Sequence, residues 1–407
     1  MKVSNTEIKA PQPPAPLRGS EPGSFAEDTL SRRLPGIARS LLAGKWHPQA
    51  QTRLLALADE MPHARLRPIE DPGAPDIARW QFDLQPFLGQ GWLEAPWFAA
   101  EAYFFRRIIE ATGYFQPGPG QLVDPYGAQK VQAFSGVVEL LEALCLRLEN
   151  LVTGGGDAPL AAALLSLLHT AVWGNRADLS IFPSGPGSLS EDQLRSGLLV
   201  DDARTAVEFI LGRPGGFSQA TFILDNVGLE LAYDLLLADF LLSHGRTAQV
   251  LFYAKPFPTY VSDATISDIR ALVDHLAQVA SPQVRQLGMR LQEYLNEDRL
   301  HLQSDFFWTS PLPGWEMPPE TRQSLAGAGL LISKGDANYR RWLGDRHWPF
   351  TAPIQQVIAY RPAPLLLLRV MKAEIVAGLQ PGQPEKLYQA DPSWSIGGRS
   401  ALIQFVA

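Results

Sequence analysis

Residues 221–255, TFILDNVGLELAYDLLLADFLLSHGRTAQVLFYAK, decide the fold class. TFILDN is a short apolar run with β-branched members, set off by the punctuation GRPGGFSQ at 212–219, and predicts a buried strand. GLELAYDLLLADFLLSHG predicts a helix that Gly245 closes, and AQVLFYAK predicts a second strand. Strand, crossover helix and strand make a β-α-β unit, which implies a parallel sheet.

Moving toward the C-terminus, RLHLQ, GLLISKG, QQVIAYR and the terminal ALIQFVA predict further strands. ATISDIRALVDHLAQVA and SPQVRQLGMRLQEYLNE predict the helices between them. Moving toward the N-terminus, SRRLPGIARSLLAG, PWFAAEAYFFRRIIEATG and AFSGVVELLEALCLRLENLV space their apolar residues three and four apart, as buried helix faces do. Asp157, with Pro159 just inside, predicts the start of another helix after Gly154–Gly156. Residues 1–27 are rich in Pro, Gly and Ser without apolar periodicity and predict a flexible tail. The expected organisation is a tail at 1–27, an all-α helical domain at 28–211, and an α/β domain with a doubly wound, Rossmann-like three-layer α/β/α sheet at 212–407.

A chain of 407 residues with 46% hydrophobic and 19% charged residues suits a large globular core. No apolar run is long enough to cross a bilayer, and the N-terminal residues carry no apolar secretory core, so the expectation is no membrane and a cytoplasmic location. A net charge of −7 argues against nucleic acid, since phosphate backbones reward clustered Lys and Arg. A lone Cys145 excludes a disulfide framework and a thiolate zinc site, and the seven histidines form no H-E-x-x-H pairing. Any metal must therefore be held mainly by oxygen. Dinucleotide, P-loop and G-x-S-x-G signatures are also absent.

Open parallel sheets bind ligands beyond the carboxyl ends of their strands. Asp225 and Asn226 stand at one such end, and KPFPTYVSD carries Asp263 beyond the next. Two carboxylates and an amide carbonyl suit a hard divalent cation; the same pair before Gly228 also reads as a turn and helix cap. Glu230 falls in the first turn of the following helix, where capping or a substrate hydroxyl would each account for it. Asp234 and Asp239, further along, are expected to face solvent or an inter-helix contact and are left outside the site. Lys334 closes GLLISKG and precedes Asp336, Asn338, Arg340, Arg341 and Arg346, a cluster suited to a phosphoryl group. Arg369 and Lys372 interrupt the apolar run LLLLRVMKAEIV, where an uncompensated charge is costly, and are expected to face an anion or a partner. Asn175 and Asp178 lie in WGNRADLS, where helix capping accounts for them. Glu101, Arg106 and Arg107 read as an ion pair internal to one helix.

In their order, PWFAAEAYFFRRI, WGNRADLS, LDNVGLELAYDLLLADFLL, KPFPTYVSD, DFFWTSPLPGWEMP, KGDANYRRWLGDR and RVMKAEIVAGL resemble the damage-control phosphatase family, also known as acidic-residue methyltransferase-1-like. The resemblance runs from about Trp97 to the C-terminus. The combination of D-N-x-G-x-E, V-S-D and K-G-D-x-N-Y-R in this order makes it specific. It implies an α/β/α sandwich with an added helical domain, metal ligation by Asp225, Asn226 and Asp263, and substrate contacts by Glu230 and Lys334, with Asn175 and Asp178 contributing. One subfamily carries Arg-Thr-x-Lys near its C-terminus. Arg369 and Lys372 match that motif as substrate contacts, and Val370 replaces the threonine.

The implied activity is metal-dependent hydrolysis of small phosphomonoesters, sugar phosphates such as fructose 1-phosphate or damaged metabolites. Mn2+ is the foremost ion, with Mg2+, Co2+ or Ni2+ as the others. Asp225, Asp263 and Lys334 would carry the chemistry, by water attack or through an aspartyl-phosphate. Two rival readings are an S-adenosylmethionine-dependent protein carboxyl methyltransferase, whose glycine-rich loop is missing, and a non-catalytic sugar-phosphate-binding module.

Overall fold

The structure is a computed structural model and describes residues 12–153, 155–175 and 191–407, with only the backbone of residues 175, 191, 193 and 194. Seven strands form one sheet: β1 (Leu198–Asp201), β2 (Phe217–Ile223), β3 (Thr247–Ala254), β4 (Leu300–Ser304), β5 (Leu330–Lys334), β6 (Leu365–Val370) and β7 (Ala401–Val406). Their order is β1-β7-β6-β5-β2-β3-β4. From β6 to β4 all neighbours are parallel, whereas β7 runs antiparallel to β6 and parallel to β1. The sheet is therefore mixed rather than wholly parallel.

Alternation along the strands divides the core in two. Ile223, Tyr253, Leu331, Leu365 and Leu367 point into one cluster, and Phe222, Phe252, Ile332, Leu366 and Leu368 into the other. Both clusters are roofed by helices, so both faces of the sheet are covered and the architecture has three layers. Each fully buried Leu, Ile or Phe contributes about 1.5–3 kcal/mol relative to exposure.

The helices expected to form a separate domain at 28–211 are shared between the two faces. Leu30, Leu34, Leu57 and Tyr103 join Ile223 and Leu331. Leu141, Leu144, Leu164 and Leu167 join Phe222 and Ile332. The sheet itself begins before residue 212, because β1 pairs with β7. Residues 12–27 also depart from the expected tail: Leu17 is buried, its N–H donates to the Asp345 carbonyl at 3.0 Å, and its carbonyl accepts from Trp97 N–H at 2.8 Å. Backbone pairing holds a segment whose composition gave no apolar signal.

QQVIAYR is not a strand. Pro353 starts the short helix Ile354–Val357, which buries Ile354 and Val357 on one face. The strand in this region is β6, read above only as an apolar run, and its charge at Arg369 is neutralised within the fold. No helix among the described residues is long and apolar enough to cross a membrane.

Candidate active site

β2 ends at Ile223, and the next residues leave the sheet facing the loop that follows β3. Three backbone hydrogen bonds lock the two segments together: Leu224 N–H to Tyr253 O at 3.0 Å, Val227 N–H to Ser262 O at 2.8 Å and Ala264 N–H to Asp225 O at 2.7 Å. Asn226 and Asp263 form an antiparallel bridge within this clamp. The loop reaches that position through Tyr260 (φ 47°) and Val261 (φ 69°), consecutive non-glycine residues in left-handed conformations that cost about 1–3 kcal/mol each. The sequence-predicted residues Asp225, Asn226 and Asp263 thus share one end of the sheet.

They line a cavity of about 290 Å3 together with Glu101, Asp336, Arg340 and Lys372. Asn226 Nδ2 donates to Asp225 Oδ2 at 2.6 Å and to Glu230 Oε2 at 2.9 Å, and Asn226 Oδ1 accepts from the Ser262 hydroxyl. Asp225 Oδ1 and Asp263 Oδ2 are buried and receive no hydrogen bond among the described residues. Lys255 Nζ stands 3.3 Å from Asp263 Oδ2, a charge contact without hydrogen-bond alignment. Burial, reinforced by the charges of Asp263 and Glu230, pushes the Asp225 carboxyl well above the usual range. Burial also raises Asp263, to about 6, although Lys255 opposes it. The local carboxylates lack enough positive charge of their own.

This donor set fits a hard cation: unpartnered carboxylate oxygens and an amide carbonyl face one cavity. Among the described residues no three His, Cys, Asp or Glu side chains are arranged to share a metal ion, so the set rests on two carboxylates plus Asn226.

Gly335 explains how β5 reaches the same point. A Cβ at this position would lie 1.8 Å from Asp225 Oδ2, and its φ of 80° favours glycine independently. Gly174 acts similarly on the other side, since a Cβ there would meet Glu230 Cα at 2.7 Å. It brings the backbone of the Val172–Asn175 turn against the start of the Leu229–Ser243 helix. Asp178 lies outside the described residues, as does the Asn175 side chain.

Lys334 and Arg369 do not line the cavity, contrary to the expectation of direct anion contact. Lys334 is fully buried, with Nζ 2.7 Å from Asp234 Oδ1, 3.8 Å from Glu230 Oε1 and donating to Ala171 O at 3.1 Å. Burial pushes Asp234 up to about 7, while Asp234 and Glu230 hold the Lys334 ammonium above its ordinary value. The 2.7 Å approach favours a protonated lysine. Asp234 is therefore not at the surface: every residue from Glu230 to Leu242 is buried, and its helix is enclosed on all sides. Asp239 does make an inter-helix contact, a two-pronged pair with Arg290 at 2.7 and 2.8 Å.

Arg369 is buried below the cavity. Its Nε donates to Asp336 Oδ1 at 2.8 Å, its other nitrogens donate to Ile375 O and Ala373 O, and its guanidinium lies 4.2 Å from the Tyr339 ring centre. Asp336 Oδ1 also accepts from Lys372 N–H at 3.0 Å, so the Arg369–Asp336 pair fixes the loop whose Lys372 lines the cavity. Val370 is buried in the core between the sheet and the other helical layer. The remaining cluster is internal too: Arg341 donates to the carbonyls of Trp308, Ser310 and Leu312, and Arg340 pairs with Glu101 at 2.6 Å and Asp345 at 2.8 Å. Glu101, Arg106 and Arg107 therefore all reach beyond their own helix, Arg106 to Asp71 and Asp76 at 2.8 and 2.7 Å and Arg107 to Glu60 at 3.6 Å, although Arg107 also pairs within it, with Glu110 at 2.5 Å.

Sequence reasoning missed Lys255, which closes AQVLFYAK as Lys334 closes GLLISKG. Its Nζ bridges the Leu224 carbonyl at 3.3 Å and Asn338 Oδ1 at 3.1 Å. A second lysine directly after a strand was the available signal. The residues of the N-terminal helical segment that line the cavity, Phe25, Thr29, Arg33, Leu34 and Ile37, left none.

A family model described as "Damage-control phosphatase ARMT1-like domain" matches residues 29–387, beginning well before Trp97. The chain is similar to damage-control phosphatase ARMT1 of Homo sapiens, at 31% identity covering 96% of this chain and 98% of the relative. It is similar to the protein of the same name in Danio rerio, at 30% identity covering 98% of each. Among solved structures, a DUF89 family protein from Pyrococcus horikoshii matches at 14% identity with a TM-score of 0.48, over 93% of this chain and 96% of that one.

Proposed function

The chain belongs to the damage-control phosphatase ARMT1-like domain family, and from that premise we infer that it removes phosphate from a small phosphorylated metabolite at the Asp225–Asp263 cavity, with a divalent cation as cofactor. Sugar phosphates such as fructose 1-phosphate are the substrate class, and Mn2+ is the foremost ion. One observation carries the assignment: Asp225 Oδ1 and Asp263 Oδ2, buried and receiving no hydrogen bond among the described residues, belong to side chains that line one cavity beyond adjacent strands together with Lys372.

Asp225, Asn226 and Asp263 would hold the cation, which when bound supplies Lewis acidity toward a phosphate oxygen and a more acidic water. The chain's own part is positional and electrostatic. Lys372 offers a compact positive charge to the transferring group. Asp263 or Asp225 orients the attacking water and takes its proton. The new bond forms from water oxygen to phosphorus, the ester bond breaks, and the alcohol leaves with a proton. Lys334 acts from below: it neutralises Asp234 and Glu230, and Glu230 in turn fixes the Asn226 amide.

The test is phosphate release from a panel of sugar phosphates and an aryl phosphate with Mn2+, Mg2+ or chelator, comparing wild type with Asp225→Ala. Metal-dependent release that the substitution abolishes supports the reading. No release with any metal would overturn it, and binding of S-adenosylmethionine would then be measured.

A further inference from the structure

The segment Phe25–Ser40 is helical throughout but not regular. It is α at Phe25–Asp28, widens to a π turn at Thr29–Arg33 that Leu34 N–H closes onto Thr29 O, and returns to α at Leu34–Ser40. Such turns insert an extra residue and re-aim the side chains around them, and they concentrate at functional sites. Here Phe25, Thr29 and Arg33 all line the cavity that holds Asp225 and Asp263.

Arg33 is exposed. Its guanidinium lies 4.7 Å from the centre of the Phe25 ring, and one N–H reaches Thr29 Oγ1 at 3.4 Å. Among the described residues it forms no ion pair. Phe25 is itself fixed, edge-on to Trp97 at 5.9 Å and with its N–H donated to Glu374 Oε2 at 3.3 Å. The cation is anchored by a ring, with its hydrogen-bonding fork left largely open.

The strained loop lines the same cavity through Tyr260, which packs on Phe105 at 4.6 Å. The Tyr260 hydroxyl is buried and has no hydrogen-bond partner among the described residues. A buried hydroxyl left unpaired costs free energy that a ligand can recover. Glu101, which lines the same cavity, is paired with Arg340 at 2.6 Å. Arg33 and the two carboxylates come to this one cavity from different elements, the N-terminal helical segment and the loops after β2 and β3.

We propose that Arg33 and Tyr260 form a second subsite, for an anionic group that the substrate carries away from its scissile phosphate. Within the small phosphomonoesters of the proposed reading, those bearing a second anion, a carboxylate or another phosphate, are then preferred over neutral-tailed ones such as fructose 1-phosphate. A guanidinium binds either through two parallel hydrogen bonds, which an ammonium cannot reproduce. The assignment of the scissile end rests on the phosphatase reading above.

The test uses the full chain with Mn2+ and phosphonates that cannot be hydrolysed. 3-Phosphonopropionate and propane-1,3-bisphosphonate carry a second anion, and propylphosphonate is the neutral-tailed control. Calorimetry should show at least one of the two probes with a second anion binding wild type about tenfold or more tighter than the control. Arg33→Ala should erase that preference, and Arg33→Lys should restore only part of it. Tyr260→Phe should weaken the preferred probe without lowering the melting temperature of the unliganded protein. Which of the two probes is preferred separates a carboxylate from a second phosphate. Equal affinity for all three probes, or no binding by any, overturns the subsite, as does an Arg33→Ala protein that loses all three equally. Because turnover is not read, a retained preference in a protein that hydrolyses no phosphate would refute the phosphatase reading and leave the subsite standing.

Discussion

Lys334 Nζ lies 2.7 Å from Asp234 Oδ1, and neither side chain reaches solvent. A buried pair of this kind is costly to break from one side, because the partner is left charged and unsolvated. Lys334→Met should destabilise the protein by about 3–5 kcal/mol in urea denaturation, and the double variant Lys334→Met/Asp234→Leu should recover a large part of that loss. A single variant within about 0.5 kcal/mol of wild type would show that the pair carries little charge.

Asp263 fixes the sign of a pH effect. Its folded value of about 6 lies above the unfolded one, so the folded state binds the extra proton between roughly pH 4 and 6. The stabilisation is complete below that window and is lost as pH rises through it, by on the order of 2–3 kcal/mol without metal. Asp263→Asn should flatten this part of the stability curve. Mn2+ should raise the melting temperature more at pH 7 than at pH 5, because ligation requires ionised carboxylates. Metal stabilisation that is equal at both pH values, or undiminished in Asp263→Asn, would count against ligation by this residue.

Gly335→Ala should be among the most damaging single-methyl additions in the chain. The added carbon would sit 1.8 Å from Asp225 Oδ2 on a backbone with φ of 80°. The expected outcome is a loss of about 1–3 kcal/mol of stability together with weakened Mn2+ binding, read by thermal melts with and without metal. Unchanged metal binding would mean that Asp225 can move aside freely.

Val370→Thr restores the Arg-Thr-x-Lys pattern, yet it places a hydroxyl in an apolar core. We expect about 1–3 kcal/mol of destabilisation and no gain in phosphate release. A higher kcat in this variant would show that the hydroxyl reaches the cavity.

The sequence exposed the elements whose signals are local. β2, β3 and the helix between them are dense apolar runs closed by glycine, and Asp225, Asn226 and Asp263 fall directly after strands, where a parallel sheet gathers its ligands. What escaped depends on distant partners. β1 is four half-buried residues that become a strand only by pairing with β7. Arg369 looked like an exposed binding charge because Asp336, which neutralises it, lies on another element. Residues 12–18 carry little hydrophobic signal and are ordered by backbone contacts to Asp345, Arg346 and Trp97. Asp234 was expected at solvent or an inter-helix contact because a helix buried on every side gives no amphipathic stripe from which to judge orientation.

The placement of β7 between β1 and β6 bears on biosynthesis. β1 emerges from the ribosome in mid-chain, yet its only partner in the sheet among the described residues is the strand at 401–406. For the time needed to translate the intervening residues, at roughly 5–20 residues per second, β1 and the exposed edge of β6 must wait with unpaired backbone groups. A nascent chain arrested before residue 401 would carry Asp225, Asp263 and Lys372 on a sheet with an open edge, a template for misassembly that only the last strand removes.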